Sequence, residues 1–134
     1  MSEATKPVPT PTDATAPFWG GCAAGELRLR RCTACGAYRA PTRTVCACGA
    51  TAAEWTAVSG LGTVFSFTVV HRAPDPAFKA ELPYVIAIVA LEEGGRLMSN
   101  LTGCPPESVR IGLPVSVVFE TVGDGVGVPK FTPV

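Results

Sequence analysis

Two closely spaced cysteine pairs are the residues of this sequence best suited to chemistry. Two residues separate Cys32 from Cys35, one residue separates Cys46 from Cys48, and a short loop connects the pairs. Four thiolates brought together in this way can occupy the corners of a tetrahedron, which is the geometry of Zn²⁺ in closed structural sites. Four protein ligands leave no open position for water or substrate, so the sequence predicts a structural zinc.

Glycine follows the second cysteine of each pair, at Gly36 and Gly49. A residue without Cβ permits a left-handed turn, which lets backbone N–H groups point back at the sulfurs. Cys46-x-Cys48 is one residue shorter than the usual Cys-x-x-Cys knuckle and has to splay differently to reach one ion. The alternatives are a short pair that has lost the metal, a disulfide and redox chemistry. A disulfide would suit a secreted protein, but no apolar signal segment precedes the cysteines. A redox-active pair usually lies in a βαβ unit, and the sequence does not predict one here.

Arginine is concentrated around the first cysteine pair. Between residues 28 and 43 the chain has five arginines and no acidic residue. These are Arg28, Arg30, Arg31, Arg39 and Arg43. The positive charge can compensate four zinc-bound thiolates, form a solvated face, or bind phosphate groups of a ligand.

Three other reactive side chains have no evident partner in the sequence. His71 is the only histidine, and general-base work would require a group that orients its ring. Three roles are possible for His71: it could form a structural or interface hydrogen bond, line the substrate path, or take part directly in the chemistry. Cys22 and Cys104 lie outside the cluster and are interpreted as small, buried apolar side chains.

Composition limits the function classes. The chain has 134 residues, no formal net charge and 47% hydrophobic residues. Zero net charge argues against a protein whose main task is to neutralise nucleic-acid phosphates. No uninterrupted apolar run approaches the roughly 18 residues needed to span a membrane. We therefore expect a soluble, cytoplasmic protein of one modest domain or two small ones.

The N-terminal part predicts a disordered lead and a short helix. Residues 1–15 are rich in proline and threonine and contain little to bury. A helix compatible with proline begins at Ala16, brings Phe18 and Trp19 to a docking surface, and ends by Gly25. Core packing and contact with a partner are equally open destinations for the two aromatics. Residues 16–54 are predicted to form this helix and a zinc ribbon.

The remainder of the chain, residues 55–134, predicts a small β-barrel. An alternating strand at residues 26–30 precedes the first cysteine pair, and five further strands follow Trp55. They are predicted at residues 62–70, 84–91, 96–101, 115–120 and 128–131. Residues 72–78 form a proline-containing loop, and residues 105–108 form a single helical turn. The fold class is mainly β, with a short helix, a rubredoxin-like zinc ribbon and a five-stranded OB-fold barrel.

Short motifs distributed along this order of elements identify a family resemblance. They are Phe18-Trp19, Arg31-Cys32-Thr33-Ala34-Cys35-Gly36, Cys48-Gly49, Gly62-Thr63-Val64, Thr68-Val69-Val70-His71-Arg72-Ala73-Pro74, Pro83-Tyr84-Val85 and Pro129-Lys130-Phe131. The sequence resembles the zinc-ribbon OB-fold family of acyl-CoA-associated proteins, long catalogued as a domain of unknown function. The resemblance covers nearly everything after residue 16. The family usually has Cys-x-x-Cys in the second knuckle, where this sequence has Cys46-x-Cys48.

The resemblance implies a non-catalytic accessory subunit in a hetero-oligomer. Family members resemble partners of thiolase-superfamily enzymes, including thiolases, acyltransferases and the lipid-transfer-protein-like retro-aldolases that shorten sterol side chains as CoA thioesters. Some act beside hydratases. The catalytic residues belong to the partner, and this chain would stabilise it and help bind the acyl-CoA at a shared site. The residues expected to contact CoA or the partner are Phe18, Trp19, Arg39, Arg43, His71 and Arg72.

Two other functions are weighed against this one. A single-stranded nucleic-acid-binding module would use the basic segment and stack bases on Phe65, Phe67 and Phe78, but the neutral charge and few lysines oppose it. An independent esterase or thioesterase has little support. The sequence has no Gly-x-Ser-x-Gly elbow, and its histidine has no evident nucleophile.

Overall fold

A computed structural model describes residues 6–123 and 125–134 as one short helix, a small sheet and a closed five-stranded barrel. This confirms the mainly β fold class. The helix α1 spans Ala16–Ala23. The strands are β1 Arg28–Cys32, β2 Tyr38–Arg39, β3 Ala53–Ala57, β4 Leu61–Val70, β5 Tyr84–Leu91, β6 Arg96–Leu101, β7 Pro114–Val122 and β8 Val126–Pro133. Within the described ranges, no helix combines the length and apolar composition required to cross a membrane.

Helix α1 begins and ends where the sequence predicts. Pro17 lies in its first turn, where a missing N–H costs no helical hydrogen bond. Gly25 adopts a φ of 77°, and its N–H donates to the carbonyl of Cys22 at 3.2 Å. This left-handed residue reverses the chain after the helix and directs it into β1.

The zinc ribbon is built on a three-stranded antiparallel sheet with the order β2-β1-β3. Arg30 in the central strand is in register with Arg39 of β2 and Trp55 of β3. Neither outer strand was predicted, although the predicted strand at residues 26–30 overlaps β1. The predicted division after residue 54 falls within β3, so the ribbon sheet also uses residues 55–57; the division itself stays a prediction.

The barrel has the strand order β4-β5-β6-β8-β7. All five of its predicted strands are present, and two 3₁₀ turns, Pro76–Glu81 and Pro106–Ser108, lie in the connections. The first replaces part of the predicted loop, because Asp75 caps it by accepting from the N–H of Ala77 at 2.9 Å. Alternate residues of β5 are buried inside the barrel, which leaves its other face outside.

The seam between β6 and β8 is closed over only a short length. The two strands run parallel and are in register only at Leu101 and Phe131. Farther along, Ser99 Oγ donates to the carbonyl of Pro129 at 2.7 Å. The N and C=O of one strand residue point to the same side, so Pro129 places its missing N–H at this open seam, where no ladder bond is lost.

Helix α1 packs beside β8, near this seam. A Cβ at Gly127 of β8 would lie 2.6 Å from the carbonyl oxygen of Cys22, so only glycine allows this approach. Cys22 is 2% exposed, and burial raises the pKa of its thiol to about 11. Its interpretation as a small buried side chain is confirmed. Cys104 is partly buried and packs against the same core.

The segment before α1 makes ionic contacts with the barrel. Residues 1–5 of the predicted disordered lead lie outside the described residues. Lys6 Nζ lies 3.0 Å from Glu120 and 3.2 Å from Glu81, and Lys130 also pairs with Glu120. Residues 6–15 contain no helix or strand, and their disorder stays a prediction.

Adjacent glycines in α1 provide a test of how closely the helix approaches β1. A Cβ at Gly21 would lie 2.6 Å from the carbonyl oxygen of Glu26, whereas one at Gly20 meets only the tip of Arg28 at 4.0 Å. We expect Gly21→Ala to lower the free energy of unfolding by about 1–3 kcal/mol through overpacking. Gly20→Ala should raise it by about 0.5–1 kcal/mol through helix propensity. Urea denaturation measures both, and equal effects would contradict the packing.

The ion pairs around Glu120 predict a pH-dependent stabilisation. Hydrogen bonding from Lys130 holds the pKa of Glu120 below its ordinary value of 4.5. A depressed carboxyl pKa stabilises the fold above the unfolded-state pKa, and the effect is lost as the pH falls through the folded-state value. Because the group is partly exposed, Glu120→Gln should cost about 0.5–1 kcal/mol at neutral pH.

Thermal melts from neutral pH to well below 4.5 measure this difference, which should disappear in acid. Glu107→Gln, at an exposed carboxylate, is the matched control and should change little across the range. A Glu120→Gln penalty of the same size in acid would contradict the ionic origin.

Candidate functional site

The four cysteine sulfurs form one compact cluster. All four Sγ atoms lie within 4.8 Å of one another. Cys32 Sγ is 3.7 Å from Cys48 Sγ, and Cys35 Sγ is 3.5 Å from Cys46 Sγ. Zinc–sulfur bonds of about 2.3 Å give a tetrahedron with edges of about 3.8 Å. The donor set therefore fits a tetrahedral zinc, and the shorter second pair reaches it.

Backbone N–H groups favour the thiolate forms of Cys32 and Cys46. Gly36 and Gly49 have φ values of 79° and 90°, as the sequence predicts. The N–H of Cys35 donates to Cys32 and lowers the pKa of that thiol to about 6. The N–H of Cys48 similarly lowers the pKa of Cys46. The Cys46-x-Cys48 pair thus keeps the hydrogen bond from a backbone N–H to sulfur, although it is one residue shorter than Cys-x-x-Cys.

The local fold connects the two knuckles directly. Cys32 is the last residue of β1 and is in register with Ala53 of β3. The N–H of Cys46 donates to the carbonyl of Ala50 at 2.9 Å, which closes the second turn. Cys32 and Cys46 are buried, whereas their partners are exposed. Bound zinc would offset half of the charge of the four thiolates and cross-link β1 to this loop, and four sulfurs leave no position for substrate.

The basic residues of the ribbon do not share one role. Arg31 borders the cysteine cluster, with its Nε 3.4 Å from the carbonyl of Gly36, so it can compensate thiolate charge. Arg30 donates to the carbonyls of Pro41 and Ala14 and lies 4.8 Å from the ring of Trp55. This arginine therefore holds the segment before α1 against the sheet.

Arg39 is the buried charged residue of the ribbon, with only 4% of its surface exposed. Its Nη2 donates to the carbonyl of Thr51 at 2.8 Å. Its Nε and Nη1 are buried and have no hydrogen-bond partner among the described residues. Two unpaired donors on a buried charge are costly, which distinguishes this arginine from a solvated surface residue.

Arg39 lines a groove of about 510 Å³ between the ribbon and the β5–β6 turn. We call it the arginine groove. Arg43 and Arg96 also line it, and the remaining lining residues are alanine, leucine and glycine. Arg43 Nε donates to the carbonyl of Val45 at 3.2 Å. The structure therefore brings the predicted pair, Arg39 and Arg43, together and adds a third guanidinium from the barrel.

A second groove, of about 700 Å³, lies where α1, the ribbon and the open β6–β8 seam meet. We call it the seam groove, and Phe18, Trp19, Pro41, Met98 and Pro129 are among its lining residues. Phe18 is buried in the core, and Trp19 packs partly against it. Their rings meet edge to face with centroids 5.0 Å apart. Core packing therefore accounts for most of Phe18, while Trp19 remains available to a ligand or partner.

A third depression, of about 310 Å³, continues along the outside of the barrel. Tyr84 and Ile86 of β5 line it together with Phe78, whose ring centroid is 6.4 Å from that of Tyr84. Met98 lines both this depression and the seam groove. The two are therefore parts of one outer surface, which is mainly apolar and has Glu81 and Lys130 at the depression.

His71 and Arg72 lie away from the other predicted contact residues. They follow β4 and line a separate hollow of about 520 Å³ with Lys79. Val70 is in register with Tyr84 at this end of the β4–β5 pair, whereas the arginine groove adjoins Leu91 at the other. Eight residues of strand separate these ends by roughly 25 Å. One phosphate group therefore cannot contact both sets.

Arg96 is the functional candidate that the sequence analysis missed. Its guanidinium carbon lies 3.8 Å from the ring centroid of Phe65. Phe65 is the extra residue of a β-bulge between Val64 and Ser66, so its ring lies outside while Phe67 packs against the core. Arg96 contacts Phe65 and shares a groove with Arg39, and no pattern in the local sequence indicates either of these long-range relations.

The cluster geometry predicts one zinc per chain. Metal analysis of protein purified without chelator should find it, and Cys46→Ser should abolish stoichiometric zinc because three thiolates hold the ion less tightly. Chelation should also lower the melting temperature. Cys104→Ser, outside the cluster, is the control and should retain full zinc. Metal-free wild-type protein would contradict the assignment.

Comparison with known families divides the chain between two matching models. Residues 19–54 match the rubredoxin-like zinc ribbon domain of ChsH2. Residues 55–120 match the C-terminal OB-fold domain of ChsH2. Both assignments agree with the observed ribbon and barrel.

Individual relatives extend these matches. A probable enoyl-CoA hydratase alpha subunit of Thermomonospora curvata is 38% identical over 87% of this chain, which spans only 36% of that protein. A DUF35 domain-containing scaffold protein of Methanothermobacter thermautotrophicus is 39% identical, over 72% of this chain and 74% of its own. The solved Ltp2-ChsH2(DUF35) aldolase contains a chain that superposes with a TM-score of 0.80 and 35% identity, over 93% of this chain and 98% of that one. The chain belongs to the DUF35 family, with the ChsH2-type zinc ribbon and OB-fold domain.

Proposed function

We propose that this chain is a non-catalytic accessory subunit of a thiolase-superfamily acyl-CoA enzyme. It stabilises its partner and helps to bind or channel the CoA thioester in a hetero-oligomer. The names of its relatives support this role, since they include a hydratase subunit, a scaffold protein and a subunit of an aldolase complex. A thiolase-like partner, such as a lipid-transfer-protein-like aldolase, goes beyond those names and is part of the proposal.

The observation that carries the proposal is the apolar outer surface of β5 and β6. Met98 is 71% exposed and lies opposite Ile88 in the β5–β6 ladder. It joins the seam groove to the depression beside Ile86 and Tyr84. A mainly apolar surface with polar groups at its margin is typical of a protein–protein interface.

The side chains around His71, one of the predicted contact residues, do not form a catalytic arrangement. In the part of the chain that the structure describes, the hollow around His71 is lined by Arg72, Lys79 and apolar residues, with no serine, threonine or cysteine to act as nucleophile. A nucleophile and a base within hydrogen-bond distance are the minimum for covalent catalysis. The chemistry is accordingly assigned to the partner.

The predicted contact residues divide between two roles in this proposal. Arg39, Arg43 and Trp19 border the grooves and face the acyl-CoA, with Phe18 supporting Trp19. His71 and Arg72, at the other end of β4, contact the partner protein. This division follows from the distance between the two ends of the barrel.

The structure offers little support for the nucleic-acid alternative. Phe67 packs against the core, and the face of Phe65 is occupied by Arg96. Two of the three proposed stacking rings are therefore not free to receive bases.

Two equally exposed residues allow a matched test of docking. Met98 and Ile111 are 71% and 69% exposed, but only Met98 lies on the outer surface that joins the grooves. We expect Met98→Glu to weaken assembly with the partner at least tenfold, since it buries a charge in an apolar interface. Ile111→Glu should assemble like the wild type.

The full-length chain is purified with its native partner, the partner is identified by mass spectrometry, and affinity is measured between the separated proteins. A thiolase-fold partner and a selective Met98 effect support the proposal. A chain that purifies alone, or one that turns over a thioester unaided, would refute it.

A further inference from the structure

The arginine groove contains a charge that the fold itself does not satisfy. Arg39 is 4% exposed, and two of its guanidinium nitrogens find no acceptor among the described residues. Within residues 6–123 and 125–134, its one hydrogen bond goes to the carbonyl of Thr51, and no carboxylate pairs with its positive charge. Retaining a buried, unpaired guanidinium is unfavourable unless an anion compensates it.

The neighbouring groups increase this electrostatic cost. Arg43 and Arg96 line the same groove, and none of the described residues that line it is acidic. Three like charges around one depression repel one another, and an anion placed among them relieves that repulsion. Guanidinium groups also present paired N–H donors that match phosphate oxygens.

The groove is a defined part of the fold. Gly94 and Gly95 form the β5–β6 turn with φ values of 107° and 81°. A Cβ at Gly95 would lie 3.4 Å from the carbonyl oxygen of Tyr38, so the turn lies directly against β2. This contact sets Arg96 of the barrel beside Arg39 of the ribbon.

The arginine groove also connects with the seam groove. Ala40 and Arg96 line both of them. The seam groove is mainly apolar and contains Phe18, Trp19 and Leu97. A molecule with an anionic end and a long, mostly uncharged arm matches this sequence of surfaces.

We infer that Arg39, Arg43 and Arg96 bind the phosphate end of the CoA thioester, with the pantetheine arm in the seam groove. The inference rests on the proposed function and adds the orientation of the ligand and a third binding residue. The phosphates pair with the exposed guanidinium groups of the groove rim, and Arg39 supplies positive charge from below. The arm then passes Trp19 toward Met98, where the partner completes the site.

Calorimetric titration of the zinc-loaded full-length chain at low ionic strength tests this inference. The ligands are CoA, pantetheine without phosphates and inorganic pyrophosphate. We expect CoA to bind, pyrophosphate to compete with it and pantetheine alone to bind too weakly to detect. Added salt should weaken CoA binding, because the recognition is ionic.

Variants identify the residues responsible. Arg43→Gln and Arg96→Gln should each weaken CoA binding roughly tenfold, through the loss of a charge-assisted hydrogen bond. Arg39→Lys, which keeps the buried charge but loses the planar fork, should weaken it while zinc content stays normal. Arg110→Gln, at an exposed arginine outside the groove, should bind like the wild type.

Absence of CoA binding, or equal binding by the groove variants and Arg110→Gln, would overturn the inference. If pyrophosphate binds and CoA does not displace it, the inference is also overturned, because the groove would then bind a free phosphate. Measuring how the same variants assemble with the partner distinguishes a failure of the site from a failure of the proposed function. Normal assembly alongside failed CoA binding refutes only the site.

Discussion

The four-sulfur cluster is the constraint on which the ribbon depends. Its sheet includes a strand of only two residues, Tyr38–Arg39, and so small a unit buries little apolar area of its own. A zinc ion that joins the end of β1 to the Cys46–Cys48 loop supplies the missing cross-link. Because β2 directly follows the first knuckle, the metal also fixes Arg39. The structural zinc therefore positions a charged residue that it does not contact.

The barrel applies a different constraint at its incompletely paired seam. With β6 and β8 in register at a single residue pair, their remaining edges must be covered in another way. Helix α1 approaches β8 at Gly127, and Ser99 bonds the carbonyl of Pro129. These contacts cover part of the seam and leave the groove beside it. A fully paired barrel would have no such opening next to the helix.

Sequence predicted the elements whose signals are local. Strands β5 and β6 have the predicted limits, because apolar runs and a Gly94-Gly95 turn mark both ends. Strands β2 and β3 were not predicted, because β2 has only two residues and β3 is defined by its pairing with β1. The 3₁₀ turn at Pro76–Glu81 was also missed, because a side-chain cap from Asp75 decides it rather than periodicity.

The same distinction applies to the candidate site. Cysteine spacing was sufficient for the metal ligands, since ligand type and separation are properties of the sequence itself. The positive region was equally visible, but its division among Arg30, Arg31 and Arg39 depends on contacts across the sheet. Arg96 could not be associated with them, because the barrel turn meets the ribbon only in three dimensions.

Two features that are costly in the isolated chain fit an accessory subunit better than an independent enzyme. A buried guanidinium with two nitrogens unpaired among the described residues and an apolar face around Met98 both raise the free energy of the isolated chain. They lie at connected grooves, so a ligand and a protein partner could relieve both costs in one assembly. An enzyme that worked alone would instead need catalytic groups converging in its own cavity. Here the converging groups are cations and apolar side chains, which suit binding.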